Sequence, residues 1–185
     1  MRNICFGLIA SIAFASASLA NLEGENLLVN IPAGYKVDFQ RNNSNARMTE
    51  MVPSNESVKN WTEMVTVQVF YRLHDVTPEQ FKTKIEQLWS GACKGSKTKS
   101  IAQGETGGYP SSMWVMYCPS NSSTGKPENT WFRAIQGVDS FYVVQKAYKF
   151  SPTKQQEEQW LTYLRNVSVC DTRLPERACP QAKTQ

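Results

Sequence analysis

A single histidine, His74, serves all 185 residues. A metal site built from several imidazoles is therefore excluded, and a Ser-His-Asp or Cys-His arrangement would have to use that one residue as its base. His74 lies in Leu73-His74-Asp75 at an expected strand-to-helix turn, where a histidine bonded to backbone or water is the simpler reading. No G-x-S-x-G elbow and no H-E-x-x-H pair occurs. Gly104-Glu105-Thr106-Gly107-Gly108 lacks the lysine and Ser/Thr of a P-loop and reads as a turn. The cysteines show no C-x₂-C pair, so a zinc site is not expected. Carboxylates are scattered. Glu157-Glu158 suits the start of a helix, where the macrodipole favours acids, and Glu50, Glu56 and Glu63 receive no role. Catalytic, cofactor-binding and metal-ligating residues are accordingly none, and the chain reads as a non-enzyme.

Strong charge of one sign is also missing. Twenty basic residues face sixteen acidic ones, a net +4, too mild a balance for a nucleic-acid partner on charge alone. After the first twenty residues no run approaches eighteen consecutive apolar residues, so no transmembrane segment is expected.

What is present begins with MRNICFGLIASIAFASASLA. Arg2, an apolar stretch from Ile4 to Phe14 and the small-residue end Ser18-Leu19-Ala20 follow the order of a secretory signal peptide. Cleavage is expected after Ala20, which gives a periplasmic or secreted protein. Cys5 precedes the hydrophobic region and is not placed for lipidation. The remaining 165 residues suit one domain that buries about two-thirds of its unfolded surface. The boundaries read as 1–20 signal peptide, 21–169 single α+β domain and 170–185 cysteine-containing extension.

Export leaves four cysteines, Cys93, Cys118, Cys170 and Cys179, and an even count in an oxidising compartment implies disulfides. Three pairings exist. The local one, Cys93–Cys118 with Cys170–Cys179, ties a helix end to a strand end and closes a small loop around Pro175. The competitor pairs Cys93 with Cys170. Five N-x-S/T triplets, at Asn42, Asn55, Asn60, Asn121 and Asn166, would carry meaning only in a eukaryotic secretory pathway.

Periodicity supplies the elements. Leu27–Ile31, Tyr35–Gln40 and Met48–Val52 read as short strands, with loops at 41–47 and 54–60. WTEMVTVQVFYR alternates: Trp61, Glu63, Val65, Val67 and Val69 fall on one face and Thr62, Met64, Thr66, Gln68 and Phe70 on the other. Thr77-Pro78 with Gln80 is a capping box that opens a helix, with Phe81, Ile85, Leu88, Trp89 and Ala92 as its stripe and Gly91 or Gly95 at its end. Ser96–Gly104, Met113–Cys118, Thr130–Gln136 and Ser140–Phe150 read as strands, the last two forming a hairpin around Gly137-Val138-Asp139. Ser151-Pro152 opens a second helix with Trp160, Leu161, Leu164 and Val167 inward, and the tail from Ser168 reads as a stapled extension. The fold class is α+β: a twisted, largely antiparallel sheet flanked by two main helices, with a disulfide-stapled C-terminal extension.

This element order, with the segment MVPSNESVKNWTEMVTVQVF, the late hairpin and the closing LTYLRNV, resembles the PsbP/Mog-like α/β/α sandwich and small exported bacterial proteins of that kind. The resemblance spans most of residues 27–167, and it implies an accessory or binding role. Trp61 and Tyr109 flank loops and are the candidate exposed contacts. Lys94, Lys97 and Lys99, with Lys82 and Lys84 on the preceding helix, form the one local basic cluster, a candidate for weak anionic-surface contact. The expected function is an exported, non-catalytic binding or accessory protein of the bacterial envelope or extracellular space, whose partner is an unknown protein or small ligand. A secreted effector acting on a host or competitor, and a hydrolytic enzyme with an unrecognised site, are the alternatives. No cofactor is expected.

Overall fold

The computed structural model describes residues 22–180. The leader and its cleavage site lie outside the described residues.

Among the described residues, nine strands and two helices follow one another. They are β1 (Glu25–Leu28), β2 (Tyr35–Asn42), β3 (Ala46–Pro53), β4 (Glu63–Tyr71), α1 (Pro78–Ala92), β5 (Lys97–Thr106), β6 (Tyr109–Cys118), β7 (Glu128–Gln136), β8 (Ser140–Tyr148), α2 (Lys154–Arg165) and β9 (Ser168–Asp171), with a short 3₁₀ turn at Pro175–Arg177. Seven strands form one antiparallel sheet in the order β2-β3-β4-β8-β7-β6-β5, and β1 pairs antiparallel with β9 as a separate two-stranded piece.

The alternation in β4 assigns the two faces of the sheet. Val65 and Val67 join Val144, Tyr148, Met113, Val115 and Trp131 in a core that α2 covers with Trp160 and Leu164. Phe70 joins Trp114, Phe132, Phe141 and Val143 in a second core that α1 covers with Phe81, Ile85 and Trp89. The helices thus lie on opposite faces. β6 is buried on both, as its apolar run requires.

Both helices begin in the same way. Thr77 accepts from the Gln80 backbone N–H while the Gln80 side chain accepts from the Thr77 N–H, and Thr153 and Gln156 repeat the exchange. The second helix therefore starts at Lys154, not at Ser151-Pro152, because the threonine two residues on completes a box that the serine cannot. Gly91 lies inside α1. The helix stops at Ala92 with Cys93 as its cap, and Gly95, at φ 81°, turns the chain toward β5. Leu88 belongs to the expected stripe but is 59% exposed, since α1 rests on the sheet along Phe81, Ile85 and Trp89 alone.

Several other boundaries differ from expectation, among them β6, which begins at Tyr109 and not at Met113. The loop expected at 41–47 is mostly strand: Arg41 pairs with Met48 and Asn42 with Arg47, so only Asn43–Asn45 turns. The first strand begins at Glu25 and ends at Leu28. A domain boundary at 169/170 would cut β9, where Cys170 faces Asn26 of β1. The tail from Cys170 is therefore part of the domain.

Candidate functional site

The N-terminal segment is fastened across the α2 face of the sheet at two points. At one end the Glu25 carboxylate accepts hydrogen bonds from the backbone N–H of Val138 (2.6 Å), Asp139 and Ser140 (3.2 Å each) and from the Tyr142 hydroxyl (2.9 Å). Beyond β1, the Tyr163 hydroxyl of α2 donates to the Asn30 carbonyl at 2.7 Å. Twelve residues make α2 about 18 Å long; it packs against β7 and reaches β2 only at Tyr35 through Trp160, and the rest of β2 is exposed.

A groove of about 500 Å³ lies between the fastened segment and β2–β4. Its floor is Val37, Met51, Val67 and Val69, and Leu27, Val29 and Ile31 form the near wall. Gln40, Arg47, Thr49 and Tyr71 give the far rim its polar groups, and Glu25 and Tyr142 close one end. Gln40 donates to Thr49 at 3.4 Å, and the Tyr71 hydroxyl donates to Asn42 Oδ1 at 3.2 Å. Arg47 enters no ion pair among the described residues.

Next to this floor sits a buried lysine. Lys146 is fully buried, and its Nζ donates to Glu63 Oε2 at 2.7 Å and to the Tyr35 hydroxyl. Tyr35 in turn donates to Glu63 Oε2 at 2.7 Å. Three rings enclose the ammonium, with centroids at 4.0 Å (Trp160), 4.4 Å (Tyr148) and 4.8 Å (Tyr35). Burial pulls the Lys146 pKa down to about 8, against the opposing pull of Glu63. Burial, with the Glu63 hydrogen bond and charge, holds the Tyr35 phenol well above its ordinary range. With no exposed surface, the lysine cannot meet a substrate as placed; it fixes Tyr35 and Trp160 at the α2 side of the groove.

The residues singled out from the sequence do not converge. Tyr109 is 1% exposed and is not a contact surface. The tail after β9 folds back over it and sets the Arg177 guanidinium 4.2 Å from its ring. Trp61 is half-buried, with Lys149 Nζ 3.8 Å from its ring centroid. It adjoins the Glu63–Tyr148 end of the sheet, whereas Tyr109 lies at the opposite end. The basic cluster is split by β5. Lys82 donates to Ser100 on the α1 face, while Lys97 and Lys99 pair with Tyr117 and Val115, whose side chains share the α2 face. Lys94 is exposed just past the α1 cap. His74 is exposed, its Nε2 3.6 Å from Asp75 Oδ1. Among the described residues no group of three or more His, Cys, Asp or Glu could hold a metal ion, and no helix is long and apolar enough to cross a membrane.

The disulfides follow the local pairing, Cys93–Cys118 and Cys170–Cys179. The second folds the tail back beside β9.

Fold and groove together define an α+β protein of three layers, with helices on both faces of an antiparallel sheet and an open cleft on one of them. No protein-family model matches the chain, and no curated protein matches it. Among solved structures it is similar to a mutant form of Protein Mog1, with a TM-score of 0.45 and 13% identity over 75% of this chain and 81% of that one.

Proposed function

We propose that the chain is an exported binding protein, non-catalytic, released from its leader after Ala20 into the periplasm or the extracellular space, and that the groove beside β2–β4 is its ligand site. The groove itself carries this reading. It has an apolar floor, a few polar groups on its rim and a volume within the range of small-molecule sites. Val37 of the floor and Ile31 of the near wall remain 38% and 58% exposed, apolar surface that a ligand would cover. Two disulfides suit an oxidising compartment.

The test uses the neutral fluorescent probe N-phenylnaphthylamine with the chain beginning at Asn21. Bound in an apolar groove, the probe brightens. Val69→Trp, which fills the floor, and Ile31→Asp, which charges an exposed rim position without touching the core, are both expected to weaken the signal by about tenfold in affinity. Equal brightening in the wild type and both folded variants would overturn the groove as the site.

A further inference from the structure

The groove's free charge is one-sided. Among the described residues, Arg47 and Glu25 are the only acidic or basic side chains on its lining. Glu25 is consumed by three backbone N–H groups and the Tyr142 hydroxyl, so its charge is answered from within the protein. Arg47 has no carboxylate partner among the described residues. An occupant of this groove therefore meets one cation without an ion-pair partner and one carboxylate whose oxygens are already taken by four donors.

Polarity also runs along the groove. Register places Arg47 opposite Asn42 on one side and Val69 on the other, and Tyr71 follows Val69 on the same face. This end offers a guanidinium fork, an amide and a phenol. Moving along β3, the same face passes Thr49 and reaches Met51, which is opposite Val37 and Val65. Beyond Val37 the path is stopped by Tyr35, whose ring meets Trp160 edge-on at 5.3 Å. From Arg47 to Met51 is four strand residues, about 13 Å. One end is polar and wet, with Arg47 on β3 and, across Val69, Tyr142 holding Glu25; the other is apolar and closed by aromatic rings.

We propose that the groove takes a single-chain carboxylate amphiphile of medium length, its head on the Arg47 guanidinium and its alkyl chain along Val69, Val67, Met51 and Val37. This rests on the groove being the ligand site as argued above. A planar carboxylate matches the two parallel N–H bonds of a guanidinium. The chain covers Val37 and Val69, which are otherwise partly wet, and runs over the small remaining exposed edges of Val67 and Met51. A neutral alcohol of the same length gains the second term and not the first. A cationic amphiphile meets Arg47 as a like charge. Sugars and polyanions have no use for the floor.

The experiment displaces N-phenylnaphthylamine from the mature chain with decanoate, decanol and decyltrimethylammonium, each below its micelle concentration at neutral pH. Decanoate is expected to displace at about tenfold lower concentration than decanol, with the cationic amphiphile weakest. Arg47→Gln is expected to weaken decanoate about tenfold and leave decanol unchanged, and Arg47→Lys is expected to fall between. Arg47 is exposed, so these variants test the head contact without disturbing a core. Decanoate and decanol displacing equally from a groove that does bind probe, or decanoate binding that survives Arg47→Gln, would overturn the amphiphile assignment and leave the groove standing. A wild-type chain that binds no probe would overturn both.

Discussion

Lys146 and Glu63 form a diagonal pair across the β4–β8 ladder, with Nζ 2.7 Å from Oε2 beneath Trp160. Glu63 keeps 22% of its side chain in contact with solvent, while Lys146 has none. Breaking such a pair from either side leaves different debts. Lys146→Ala removes the charge and opens a cavity among Tyr35, Tyr148 and Trp160, and is expected to cost about 3–5 kcal/mol. Lys146→Met keeps the volume and leaves a carboxylate that can reach water and still accepts from Tyr35, so its cost is expected to be less than half of that. Urea unfolding of the two variants compares them directly. Equal losses would show that the ammonium, and not the packing, holds α2 down.

The same lysine gives a pH signature. Its folded pKa, about 8, lies below the value of 10.5 expected for the unfolded chain. A depressed pKa means that the folded state sheds its proton first, so the lysine's contribution is present above 10.5 and is lost as pH falls toward 8. Stability relative to Lys146→Met should therefore rise from pH 8 to pH 10, on the order of 3 kcal/mol over the full interval. The comparison with Lys146→Met removes the tyrosines, whose raised pKa values work in the other direction above pH 10. A flat difference across this window would mean that Lys146 stays protonated in the folded chain, as well stabilised by Glu63 as by water.

Glu25 is predicted to act with Gly137. A Cβ at Gly137 would overlap the Glu25 carboxylate, so Gly137→Ala must expel the same side chain that Glu25→Ala removes. Each is expected to cost about 2–3 kcal/mol through unpaired N–H groups at 138–140 and a loosened β1. The double variant should cost little more than either alone. Additive losses, measured by thermal unfolding, would show that the two act separately.

Those interactions differ in how far the chain itself discloses them. Local signals were readable: the T-x-x-Q box at Thr77, the valine alternation of β4 and the turn at Gly137-Val138-Asp139 each depend on residues within a few positions. Lys146 was in principle readable too. It falls on the Tyr142–Val144–Tyr148 face of β8, and Glu63 falls on the valine face of β4, so each strand carries one odd charge among apolar neighbours. Matching the two charges, 83 positions apart in the chain, required the register between their strands, which periodicity does not supply. The groove and the burial of Tyr109 were not readable, because both arise where the ends of the chain return: β1 lies beside β9, and Arg177 folds over Tyr109. The basic cluster misled for a related reason: Lys82 lies on α1 over one face of the sheet, whereas Lys97 and Lys99, two apart on β5, both belong to the other face.

The two disulfides should differ in weight and in reach. Cys93 caps α1 and Cys118 ends β6, both are 2% exposed, and the bond spans 25 positions. In the chain-entropy model that loop contributes about 3 kcal/mol, and replacing both cysteines by serine also places hydroxyls in an apolar site. Cys170–Cys179 closes only 9 positions and one of its residues, Cys179, is half-buried, so its loop contribution is smaller and reductant should reach it first. Its larger effect is local. Without it the tail is freed, Arg177 leaves the Tyr109 ring, and a tyrosine now 1% exposed gains access to water. Cys179→Ser is therefore expected to lower stability less than the Cys93→Ser/Cys118→Ser pair, while increasing chemical nitration of Tyr109 severalfold. Non-reducing peptide mapping fixes the starting point: linked peptides should join Cys93 to Cys118 and Cys170 to Cys179. A peptide joining Cys93 to Cys170, or nitration of Tyr109 unchanged in Cys179→Ser, would sink this account of the tail.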